Sequence, residues 1–127
     1  MYLKCTLYYI DALVWAYVFE DIEIPLVCND GVPSFAHIIN MLPIARSYYR
    51  IDEVGHDFFK LQCYFITHLL YVFSDWGQHA LCRELFVEEF EFIINNLTKV
   101  RVSLKDPEIV GEFLHCLKIL QVYSYME

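Results

Sequence analysis

Two segments of the chain place a glutamate three residues before a histidine, Glu53–His56 in EVGH and Glu112–His115 in EFLH. On a helix this spacing turns a carboxylate and an imidazole to one face. Di-iron carboxylate bundles use two such pairs, with an inward glutamate from each of two further helices. Glu20 or Glu23 and Glu88 or Glu89 would complete that set. The helix faces oppose it. With Phe113 at the centre of its apolar stripe, His115 lies roughly 160° away beside Lys118, and Glu88 falls opposite Phe90. Ligands to a buried metal must point inward, so both pairs read as solvated faces, and no metal or other cofactor is expected.

A second constellation is Asp57, Tyr64, His68, Tyr71 and Asp75, which a helix would bring within roughly 60° of one face. His68 and Asp75 stand in ITHLLYVFSDWG, an otherwise apolar run. Seven residues of helix separate them by about 10.5 Å along the axis, too far for a direct hydrogen bond. They could both address one small ligand, or each could meet a packed neighbour. A histidine titrates near neutrality and suits proton transfer. The plainer reading gives His68 a backbone or tyrosine partner and leaves Asp75 to shape the turn. Serine is rare, the cysteines have no basic neighbours, and neither G-x-S-x-G nor a phosphate loop is present, so no nucleophile is assigned.

The elements that must position these groups are helical. Tyr2–Phe19 contains no glycine or proline and reads as a first helix, and Asn29–Pro33 as a loop. Ser34 can cap a second helix from about Phe35, with Pro43 kinking it or opening a new turn. A third is expected from Asp52 or Glu53 to Asp75, ended by Gly77. A fourth is expected from His79 to Val100. A fifth follows Asp106-Pro107 and runs to about Tyr123. The fourth has an apolar stripe of Phe86, Phe90, Ile93, Ile94 and Leu97, and the fifth one of Ile109, Phe113, Cys116, Leu117 and Leu120. The third is apolar almost all round between Leu61 and Phe73, as a helix buried centrally would be. The expectation is one all-α domain over residues 1–127, about five helices in a compact antiparallel bundle or helical-hairpin array.

Composition narrows the function. Hydrophobic residues form 57% of the 127-residue chain, against roughly 45–50% in soluble domains. This excess points to a face for a protein partner or a second copy. No run is long enough for a membrane span, and no signal peptide is read, so a cytoplasmic location is expected. The net charge of −8 disfavours nucleic acid. Cysteines at 5, 28, 63, 82 and 116 include no C-x-x-C pair and read as small buried hydrophobes in a reducing compartment.

YFITHLLYVFSDWG, followed later by DPEIVGEFLHCLKIL, resembles an uncharacterised bacterial family of all-helical domains. In that family T-H, several apolar residues and D-x-G precede an acidic turn and a G-E-hydrophobic helix. Thr67, His68, Asp75, Gly77, Gly111 and Glu112 match, within about half of the chain from Tyr64 onward. The resemblance implies an all-helical fold and a setting near specialised-metabolite pathways, and transfers no activity. It also groups His68, Asp75 and Glu112, since Glu112, roughly 100° from Phe113, can reach the central helix.

Three functions follow as expectations. The first is a cytosolic binding or accessory protein that docks a partner or itself. The second is a small enzyme or ligand-binding domain with His68, Asp75 and Glu112 around a pocket lined by Tyr64 and Tyr71. The third is an acidic inhibitor or immunity-type protein that masks a basic target.

Overall fold

The computed structural model describes Val14, Asn40 and residues 46–121. Every regular element among these residues is helical. They are α1 (Ile51–Phe73), a 3-10 turn (Arg83–Leu85), α2 (Val87–Lys99), a π-helical turn (Val100–Leu104) and α3 (Pro107–Ile119). Val14 and Asn40 are helical. Otherwise the first two expected helices, the Asn29–Pro33 loop, Glu20, Glu23, Cys5 and Cys28 lie outside the described residues. The chain divides into two compact units between His68 and Leu69.

In the first unit, α1 is interrupted after one turn by Gly55, whose φ of 83° and ψ of 168° suit a residue without a Cβ. From Phe58 onward its buried residues, among them Phe59, Gln62, Cys63, Phe65 and Ile66, cover a little over half of the helix circumference, and Lys60, Leu61, Tyr64 and His68 on the remaining side are half-buried. The preceding segment is clamped to the helix. The Tyr49 amide donates to Gln62 Oε1 at 2.7 Å, and Gln62 Nε2 donates to the Tyr49 carbonyl at 2.9 Å. Both polar ends of the buried glutamine are thereby satisfied. Tyr48 against Phe65 and Tyr49 against Phe58 add ring contacts.

In the second unit, the end of α1, α2 and α3 pack on one another through aromatic pairs. Phe73 meets Phe86 with ring centroids 5.7 Å apart, and Tyr71 meets His115 at 5.3 Å. Phe92 meets the fully buried Phe113 edge-on at 6.4 Å. All five residues of the expected α3 stripe are buried, Ile109, Phe113, Cys116, Leu117 and Leu120. Asp106 caps this helix, accepting from the Ile109 amide at 3.2 Å, with Pro107 opening the first turn. Asp106→Ala is expected to cost about 1 kcal/mol in a urea melt. An unchanged midpoint would mean the cap adds nothing.

Three expectations are corrected. Gly77 does not end α1. The helix stops at Phe73, and Asp75, at φ 53°, takes the left-handed position usually given to glycine. The Trp76 amide donates to the Tyr71 carbonyl and the Asp75 amide to the Val72 carbonyl, the two bonds of a Schellman stop. Trp76 and Gly77 continue the left-handed run at φ 56° and 88°. Glycine at 77 also has a packing reason, since a Cβ there would lie 2.9 Å from His115 Nε2.

Second, no helix begins at His79. Residues 79–82 are irregular, and the Leu81 amide donates to the Ile119 carbonyl at 3.0 Å, tying this segment to the end of α3. Third, the buried side of α2 carries Glu89, Phe92 and Ile93. Of the expected stripe only Ile93 is buried. Phe86, Phe90 and Leu97 are half-buried and Ile94 is exposed.

Candidate functional site

The sequence proposes His68, Asp75, Glu112, Tyr64 and Tyr71 as a site. His68 and Tyr64 belong to the first unit, the other three to the second. His68 Nδ1 lies 2.7 Å from the carbonyl of Tyr64, one turn back on the same helix. A carbonyl only accepts, so Nδ1 carries the proton and donates. The Tyr64 and His68 rings stand edge-on, 6.3 Å apart. This is the plainer role foreseen for the histidine. Asp75 leaves the helical face altogether, because its left-handed backbone lies beyond the last turn of α1.

Tyr71 and Glu112 are linked electrostatically. Tyr71, at the end of α1, is buried. Its phenol is pushed well above the ordinary range, first by burial and then by the charges of Cys116 and Glu112 on α3. The Cys116 thiol is likewise raised by burial and by Glu112, so it is no nucleophile near neutrality. Glu112 Oε2 is buried without a hydrogen-bond partner. The Glu112 carboxyl is pushed up to about 7, by burial first and then by the like charges of Glu108 and Asp106. The cluster therefore holds one group that changes charge near pH 7, between two that stay protonated.

His115 is exposed, with its ring against Tyr71 and its Nε2 facing Gly77. Sequence reasoning placed it on the solvent face and missed the Tyr71 contact. Only the three-dimensional turn at residues 75–77 could reveal it. Glu53 is exposed and accepts from the Arg50 amide, and His56 is exposed. No group of three or more His, Cys, Asp or Glu among the described residues could hold a metal ion. Cys63 and Cys116 are buried as expected. Cys82 is exposed, its thiol donating to Glu84 Oε2 at 3.0 Å.

A second feature lies on the outer side of α2. Val87 and Ile94 on this helix are 41% and 48% exposed, and Leu85 and Val102, in the turns before and after it, are 68% and 56% exposed. At 100° per residue Val87, Phe90, Ile94 and Leu97 form a continuous stripe, centred roughly 120° round the helix from the buried Glu89, Phe92 and Ile93. At the C-terminal end of this face an open groove of about 410 Å³ is lined by Arg101, Lys105, Asp106, Pro107, Val110 and Gly111. None of the five proposed site residues lines it. No described helix is long and apolar enough to cross a membrane. No family model, curated protein or solved structure matches this chain.

Proposed function

We propose that this protein is a cytosolic helical binding or accessory module whose working surface is the outer face of α2. The observation that carries the reading is the exposure of Val87 and Ile94 on α2, away from its buried Glu89, Phe92 and Ile93, with exposed Leu85 and Val102 in the turns at its two ends. A helix needs one apolar stripe to join a core, so a second stripe is available for another protein surface. The high apolar content of the chain points the same way. The bacterial helical family that the chain resembles suggests a setting near specialised-metabolite pathways.

The test is a photo-reactive amino acid at position 94 in cells, with one at exposed Glu108 of α3 as control. A discrete protein adduct from position 94 and none from 108 is the expected result. Equal, diffuse labelling at both positions would overturn the reading.

A second reading rests on the orphaned Glu112 Oε2. Beside the protonated phenol of Tyr71, this oxygen could hold one polar group of a small ligand. The site would be narrower than the expected one, built on Tyr71 and Glu112 instead of His68 and Asp75.

A further inference from the structure

We propose that the groove between the π-helical turn and the first turns of α3 binds a small organic monocarboxylate, its carboxylate held by Arg101 and Lys105 and its apolar chain lying along Pro107 and Val110. Three locally unfavourable features meet there. The turn Val100–Leu104 is π-helical, a form rare in proteins and frequent at functional sites. Lys105 follows it at φ 51° and ψ 42°, the left-handed helix stop usually given to glycine, and a lysine in that place sets a cation at the groove. Gly111 stands inside α3, where glycine is less stable than alanine.

The glycine has no packing reason. Its φ is not positive, and a Cβ added to it would meet nothing within 4 Å. Pro107, Val110 and Gly111 stand at i, i+3 and i+4, on one face of α3, and all three line the groove of about 410 Å³. The missing side chain therefore leaves the floor of the groove open. Local rules broken together around one cavity point to function, since folding gains nothing from them.

Charge names the class of ligand. Arg101 and Lys105 form no ion pair among the described residues, in a chain of net charge −8. A guanidinium takes a carboxylate through two parallel hydrogen bonds. Asp106 also lines the groove, with Oδ1 committed to the Ile109 amide. Two cations beside one acid favour a single added negative charge, so a monoanion suits the groove better than a dianion. Pro107, Val110 and the methylene stems of Arg101 and Lys105 supply the apolar wall. The inference does not depend on the docking role of α2.

Hexanoate titrated into isotope-labelled protein, followed by the amide shifts in NMR spectra, tests the proposal. Saturable shifts at Lys105, Val110 and Gly111 are expected, with a dissociation constant on the order of 1 mM. Hexylamine, of the same length and opposite charge, should shift none of them, and adipate should bind more weakly than hexanoate. Shifts that do not saturate, or that spread equally to Val87 and Ile94, would overturn the site. Equal binding of hexylamine would overturn it too, and tighter binding of adipate would overturn the monoanion assignment. Gly111→Leu should raise the thermal midpoint, because leucine favours a helix over glycine, yet weaken hexanoate about tenfold by filling the floor. Arg101→Gln should weaken it by about tenfold with the midpoint unchanged. Wild-type affinity in either variant would refute the proposal, and the higher midpoint of Gly111→Leu excludes unfolding as the cause of a loss.

Discussion

Phe113→Ala is expected to remove about 3–5 kcal/mol of stability, the usual range for deleting a buried aromatic ring from a core. Phe113 is wholly buried and meets Phe92 of α2 edge-on. Both the transfer of its ring from water and the cavity left behind therefore count. With a total of about 5–15 kcal/mol available to a domain of ordinary stability, this is a substantial fraction. In urea the midpoint should fall with the slope unchanged. A loss under about 1.5 kcal/mol would mean that the α2–α3 contact is loosely packed and can collapse around the change.

Glu112 should make stability depend on pH in a definite direction. Its carboxyl is raised in the folded protein from 4.5 to about 7, so between these values the folded state holds a proton that the unfolded chain has lost. Its stabilising contribution is fully present below about 4.5 and is lost as pH rises through about 7. Glu108 and Asp106 press on it from α3 and its cap, while Tyr71 from α1 and Cys116 stay protonated throughout. Solvent screening of this half-buried group reduces the effect to on the order of 1–2 kcal/mol. Glu112→Gln should remove that dependence and gain roughly this amount above neutrality. The difference between the wild-type and variant curves isolates the group from other titrations. Parallel curves from pH 4.5 to above 7 would refute the assignment.

The sequence made some elements legible and hid others for physical reasons. Asp106-Pro107 states its role locally, because a cap acts on an amide three residues away, and the stop of α3 was misjudged by only a few residues. The all-round apolar stretch of α1 likewise identified its burial. In α2 the apolar period allowed two faces, and choosing Phe92 over Phe90 and Ile94 required knowing that α3 offers Phe113. A fully buried Glu89 further disguised the inner face, since a carboxylate normally signals solvent.

The site was legible in the same uneven way. Tyr71 and Glu112 were named from the sequence, and the Glu112 charge acts on the Tyr71 phenol. The partnership of His115 with Tyr71 depends on a left-handed turn built partly from Asp75 and Trp76, residues whose types seldom advertise that backbone.

The reciprocal bonds between Tyr49 and Gln62 also bear on time. They join residues 13 apart in the chain, and loops of about ten residues close in about 10–100 ns. This contact can therefore form during the earliest chain motions, before pairings that must wait for distant segments. In the native protein the Tyr49 amide exchanges with solvent only when the clamp opens, so its exchange rate is a clock for local opening of the first unit, separate from events around Phe113.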